Sequence, residues 1–538
     1  MSKNNPMTLH NPILKGFNPD PSIIRVGEDY YIATSTFEWF PGVQLHHSRD
    51  LANWEMIGRP LNRLSQLDMR GVPDSGGVWA PCLSYHEGTF YLVYSNVHSF
   101  QGVWKDTPNY LVTTKDIRGD WSDPVFLSAS GFDGSLFHDE DGRKYYLSML
   151  VDHRQGKLFG GVTIQEYAVA EQRLIGKAEH FFPGTELGIT EGPHLYQKDG
   201  WYYLVTAEGG TEYNHAVTVA RSKHLKGPYE VHPENPILSA RDHPAASLQK
   251  TGHGDMVEGP RGEWYIVCLT GRPLTERGRC PLGRETLLEE LVWGADGWPR
   301  LRGGGRIARQ RFDLASKTSS APAAAPNNYG FGEDALNLHF QSLREPITDA
   351  WCRLTAPGVL ALTGRQSLSS LHRQSLVARR VKSLHFTASV TLGFQPRHFQ
   401  QLAGLVCYYN SYHWLYAYVS AGVGEARVLQ VLVCDKYQVR EMLEIPLELP
   451  GNGPVQLKVD WGGGKVQFFY AITGGDWQKA GPCLDGSILS DDYVQDADQR
   501  YRAAFTGAFV GVCCQDLSGH GGMATFSNWK YEEVAPRP

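Results

Sequence analysis

The chain has 538 residues, with 51 Lys and Arg against 57 Asp and Glu and a formal net charge of -6. So small an imbalance leaves no basic footprint for nucleic acid, and 41% hydrophobic residues suffice to build more than one core. Disorder and collagen-like repeats are excluded, and 26 Tyr, 22 Phe and 14 Trp beside 58 Gly favour an all-β chain.

The opening MSKNNPMTLHNPILKG lacks the charged start, apolar run and small-residue cleavage site of a secretory signal. No run of about 18 apolar residues follows anywhere. The expectation is a cytoplasmic protein with no membrane partner. One pattern then returns five times: a Gly near a hairpin, an aromatic pair and apolar residues, as in GEDYYIATS, EGTFYLVYS, DGRKYYLSM, DGWYYLVTA and RGEWYIVCL. The second aromatics, Tyr31, Tyr91, Tyr146, Tyr203 and Tyr265, stand 60, 55, 57 and 62 residues apart. Such a period, with turn signals and alternating strands in each unit, predicts five propeller blades of about four strands. Five unrelated hairpins in a large β-sandwich would also be aromatic-rich, but they would not keep this spacing across the whole segment.

Residues 315–328, ASKTSSAPAAAPNN, have too little apolar surface to fold alone and predict a linker. The expected division is a propeller over 1–314, the linker, and a second domain over 329–538. In the latter, HWLYAYV, ARVLQVLVC, PVQLKVDW and KVQFFYAI alternate, with turns such as Gly462 to Gly464, which predicts a β-sandwich. The nine Cys, among them Cys82, Cys483 and the adjacent Cys513 and Cys514, are scattered and lack zinc-site spacing. They are expected to be buried thiols of a reducing compartment.

The repeat also serves as a ruler. Asp20, Trp79, Asp133, Glu191 and His253 stand 11 to 13 residues before the five marker tyrosines, each expected at a turn feeding a strand. If those strands are innermost, three acids, a Trp and a His share one mouth of the central channel. Carboxylates gathered in a low-dielectric pocket are costly to keep ionised, so a shared register points to use. No Ser-His-Asp grouping with an oxyanion loop, Walker loop or HExxH helix is present. Carboxylate acid and base chemistry remains. Glycoside hydrolysis needs one protonated carboxylic acid and one carboxylate, and a third acid nearby raises the donor's pKa.

Six segments in order, GFNPDPSI, TSTFEWFPGV, VWAPCLSY, FDGSLFHDEDG, TEGPHLY and CPLGRET, resemble the motifs of glycoside hydrolase family 43, in particular its two-domain β-xylosidases. The resemblance implies a five-bladed β-propeller followed by a lectin-like jelly-roll β-sandwich. It makes Asp20 the general base, Glu191 the general acid and Asp133 the carboxylate that tunes and orients the acid. Arg284 would bind sugar hydroxyls and keep Asp20 ionised, while Phe37 and Trp79 would line the sugar subsite. RAAFTGAFVG resembles the segment from which a Phe closes the pocket; Phe505 is expected to fill that place and Phe509 to be core. In some relatives a His at the place of His253 faces the channel near a divalent cation, often calcium. One His is weak ground for a metal, so a hydrogen-bonding His253 is the competing expectation and no cofactor is required.

The activity implied is exo-acting, inverting hydrolysis of β-1,4-linked xylo-oligosaccharides. α-L-Arabinofuranosidase activity is the near alternative, and a non-catalytic sugar-binding propeller the alternative of another class. Relatives are often dimers or tetramers, so a homo-oligomer is expected by the same resemblance.

Overall fold

The computed structural model describes residues 7–156, 158–314, 330–472, 474–496 and 504–535. The linker expected at 315–328 lies outside them. Up to residue 314 the chain forms five successive antiparallel sheets, four of them four-stranded. The second counts a fifth through the short strand Gly77–Val78. Their first long strands, Ser22–Val26, Cys82–His86, Ser135–His138, Glu191–Lys198 and Gln249–Glu258, pack side by side, and the fifth returns to the first. That closed inner ring makes the sheets the blades of a propeller.

The repeated hairpins fold as their turn residues dictate. Glu87-Gly88 and Asp199-Gly200 each form a two-residue loop with positive φ at both positions. This turn matches the right-handed twist of the strands it joins. The ring is tied shut from outside the blades: Thr8–His10 pairs with Arg311–Asp313, and Leu14 bridges Thr286 of blade five.

The second domain packs two seven-stranded sheets face to face. Inward residues of His385–Gly393, Gln401–Asn410, Val455–Gly462 and Phe509–Asp516, such as Phe386, Leu405, Leu457 and Val512, supply its core. The two domains are joined by shared apolar packing. Phe17, Phe37 and Trp39 of the propeller cluster with Tyr408, Trp414 and Phe509 of the sandwich. Phe509 stacks on Trp39 with ring centroids 3.7 Å apart, so it is core at the junction of the domains. Ser342–Leu343 pairs with Trp39–Phe40, and buried Arg344 donates to Asp74 at 2.7 Å.

The expectation of nine buried thiols is corrected at one position. Eight are buried, whereas Cys483 is exposed on the outward face of Gln478–Asp485, an edge strand of its sheet. Among the described residues no helix is long and apolar enough to cross a membrane.

Candidate active site

The five ruler positions come together at one end of the inner ring. Asp20 and Asp133 lie two residues before the inner strands of blades one and three, Trp79 leads into that of blade two, and Glu191 begins that of blade four. His253 departs from the expected turn. It lies inside Gln249–Glu258, where the pairing register shifts just before it and again across it, between Gly252 and Gly254.

Asp20, Asp133 and His253 share one left-handed conformation, with φ of 53, 53 and 51°. For residues bearing a Cβ this costs about 1–3 kcal/mol each and persists only where the surroundings enforce it. In blade four the turn falls one residue later, on Gly192 at φ 55°. A Cβ there would stand 2.6 Å from His253 Nε2, so the imidazole occupies the space that only a glycine leaves.

The charges at this mouth are unevenly satisfied. Asp20 accepts a hydrogen bond from Ser35 Oγ at 2.6 Å and has Arg284 Nη1 at 3.4 Å and His253 Nδ1 at 3.6 Å. Arg284 is itself fixed, donating from Nη1 to Thr211 Oγ1 at 2.7 Å and from Nη2 to the Phe505 carbonyl at 2.9 Å. No hydrogen bond from a described residue reaches the carboxyls of Glu191 or Asp133. Burial, then the charge of Asp20, pushes Glu191 up to about 8, against the pull of Arg284 and Lys105. Asp133 is raised well above the usual range by burial, then by Glu191 and Asp20. Burial holds His253 down at about 4, so its ring is neutral at neutral pH.

An aromatic wall surrounds the acids. The Phe505 ring lies 5.7 Å from Phe37 and 5.4 Å from Trp79, so the sandwich domain does reach the propeller mouth. Phe100 and Phe132 complete the wall at 5.2 and 5.0 Å from Trp79. Buried Ser75 holds two of its members: its carbonyl accepts from Trp79 Nε1 at 2.9 Å and its Oγ from the Phe505 amide at 3.0 Å. The Phe505 backbone is therefore gripped at both ends by the propeller, by Ser75 at its amide and Arg284 at its carbonyl.

Sequence reasoning missed Phe100, Phe132, Ser35, Ser75 and Thr211. Phe132 stands next to Asp133 and was within reach of the same ruler. The other four lie off the repeat's inner-strand register, where nothing periodic marks them.

Calcium takes six to eight oxygen ligands. Among the described residues no group of three or more His, Cys, Asp or Glu side chains is arranged to hold a metal ion. Asp255, near His194 below the mouth, is engaged by Ser22 Oγ, the Ile23 amide and Tyr196. The protein donors at His253 do not by themselves fit a calcium cage.

Comparison with known proteins agrees along the whole chain. The profile of "Glycosyl hydrolases family 43" matches residues 9–299, and that of "Beta xylosidase C-terminal Concanavalin A-like domain" matches 328–532. A β-xylosidase of Bacillus subtilis is 49% identical, the match covering 98% of this chain and 100% of the relative. The xylosidase/arabinosidase 43B of Humicola insolens is also 49% identical, over 98% of each chain. The crystal structure of a xylan β-1,4-xylosidase from Bacillus halodurans superposes with a TM-score of 0.94 at 46% identity, covering 98% of this chain and 100% of that one.

Proposed function

The chain belongs to glycosyl hydrolases family 43, and on that premise we propose that it is an exo-acting β-xylosidase that removes terminal xylose from β-1,4-linked xylo-oligosaccharides with inversion. The observation that carries the reading is the mouth itself: three carboxyls from three blades around one guanidinium, roofed by a Phe from the other domain. The wall of Phe37, Trp79, Phe100, Phe132 and Phe505 suits one terminal pyranose held by apolar faces, and a roofed pocket suits cleavage from a chain end.

In this reading Glu191 is the general acid. With its pKa pushed up to about 8 it holds a proton at neutral pH and delivers it to the departing oxygen. Asp20, oriented by Ser35 and Arg284, is the base that takes a proton from the attacking water. Asp133, itself raised well above the usual range by burial and then by Glu191 and Asp20, is the third carboxyl at the mouth and is assigned the orienting of the acid. Blades one and four are not neighbours in the ring, which supports carboxyls facing each other across the channel with room for a water between them.

A cytoplasmic setting is part of the proposal, supported by nine free cysteines of which eight are buried, as is a dimeric or tetrameric assembly. The name of the Humicola relative supports arabinofuranosidase activity as a second reading, and that of a 45% identical Vibrio relative, a xylan 1,3-beta-xylosidase, raises the linkage as a variable. The test compares turnover of β-1,4-xylobiose, β-1,3-xylobiose and an aryl α-L-arabinofuranoside, with the first-formed anomer followed by NMR. Fastest cleavage of the 1,4-disaccharide, releasing α-xylose first, is expected; β-xylose as the initial product would overturn the mechanism.

A further inference from the structure

Outside the roofed pocket, one large aromatic stands in solvent beside it. Trp104 is 71% exposed, in the segment between the strands Thr89–Val97 and Asn109–Thr114 of blade two. An exposed indole gains nothing for the fold, and such surface is commonly a contact site. The same segment supplies the pocket wall: Phe100 is buried against Trp79 and 5.9 Å from Phe505. Lys105 Nζ donates to the Phe100 carbonyl at 2.6 Å, closing the base of the loop, so Gln101 to Trp104 project from the rim. One side of the indole is backed by exposed His153 of blade three, with centroids 4.2 Å apart and planes 30° apart. The rest of its surface is open.

The side of the mouth is also defined. Lys105, adjacent to Trp104, acts on Glu191, the acid placed toward the departing oxygen. With Glu191 as the acid, the loop that carries Lys105 and Trp104 therefore lies on the acid's side of the mouth. The apolar face of a xylopyranose, lacking a hydroxymethyl branch, suits a flat aromatic platform of this kind.

Resting on the xylosidase reading above, we propose that Trp104, braced by His153, is the platform on which the xylosyl unit next to the cleaved one stacks. The inner pocket selects the terminal sugar, and this outer platform selects for a sugar as the leaving group.

The test uses the full chain with two substrates, xylotriose and β-D-xylopyranosyl fluoride, the latter carrying no leaving sugar. Trp104→Ala is expected to lower kcat/KM for xylotriose by about threefold to tenfold, mostly through KM, and to leave the fluoride within about twofold. Trp104→Phe should restore most of the loss, and His153→Ala should reproduce a smaller part of it. Equal losses on both substrates, or none on xylotriose, would overturn the assignment to Trp104 alone. A wild-type chain that turns over the fluoride but not xylotriose would overturn the xylosidase reading together with it.

Discussion

The propeller's inner strands have two ends, and the two mouths of the channel they enclose are built on opposite principles. At the first, buried Asp133 and half-buried Glu191 receive no hydrogen bond from the described residues, and strained left-handed backbone recurs at Asp20, Asp133 and His253. Further along the same strands lies a cavity of about 370 Å³ lined by Ile23, Leu83, Leu136, Leu195, Met256 and Asp255. There the buried acid is fully engaged: Ser22 Oγ and the Ile23 amide each donate to Asp255 at 2.8 Å, and Tyr196 donates to its other oxygen. One fold thus holds acids satisfied, which stabilises it, and acids unsatisfied, which costs stability but leaves them free to act.

The contrast is broken most severely by Glu191→Gln. Loss of the proton donor should reduce kcat on xylobiose by about 10³-fold, measured at constant protein concentration. Stability should move the other way. The folded carboxyl keeps its proton up to about 8, whereas its unfolded value is 4.5. Between those values folding takes up a proton, so the wild-type chain loses stability as pH rises through that window. Glu191→Gln removes this dependence, and its Tm should exceed that of wild type by about 2–4 °C at pH 8 and match it near pH 4. A variant less stable than wild type at pH 8 would mean that the acid is held by contacts, as at the far mouth.

The converse is expected of Asp255→Asn. Its amide would turn donors toward Ser22, Ile23 or Tyr196, which already donate to this place. The cost should be about 1–3 kcal/mol, read as a lower midpoint in urea, with kcat on xylobiose within about threefold of wild type. A large fall in kcat with unchanged stability would erase the division between the mouths.

The mouth that carries the acids was the more legible one. The marker tyrosines have a period because every blade repeats its hairpin, and Asp20, Asp133 and Glu191 could be aligned because they share one offset from it. What the offset could not convey was which segments fold over the mouth. Ser75 and Thr211 sit in connections between strands, and Phe100 in a loop, where each position is set by a single partner. Phe505 was found by resemblance, since alternation in RAAFTGAFVG does not distinguish a ring at the pocket from Phe509 at the domain junction. Cys483 was misjudged for a related reason: apolar alternation does not show which strand of a sheet lies at its edge.

The finest distinction between the mouths is how far a single cation tunes Glu191. Lys105 lowers the acid's pKa, in opposition to burial and Asp20. Its ammonium favours the ionised carboxyl, so removing it should let Glu191 keep its proton to higher pH. In Lys105→Met the alkaline limb of kcat/KM for xylobiose, expected near 8 in the wild-type chain, should move upward by about 0.3 to 0.5. Lys105→Arg keeps the charge and should leave the limb in place, whereas Lys105→Gln, which keeps a donor for the Phe100 carbonyl without the charge, should move it as Lys105→Met does. Asp255→Asn, acting at the far mouth, should leave it unmoved as well. If the limb stays put in Lys105→Met, it reports some other group, and Glu191 is not the acid that sets the alkaline edge of activity.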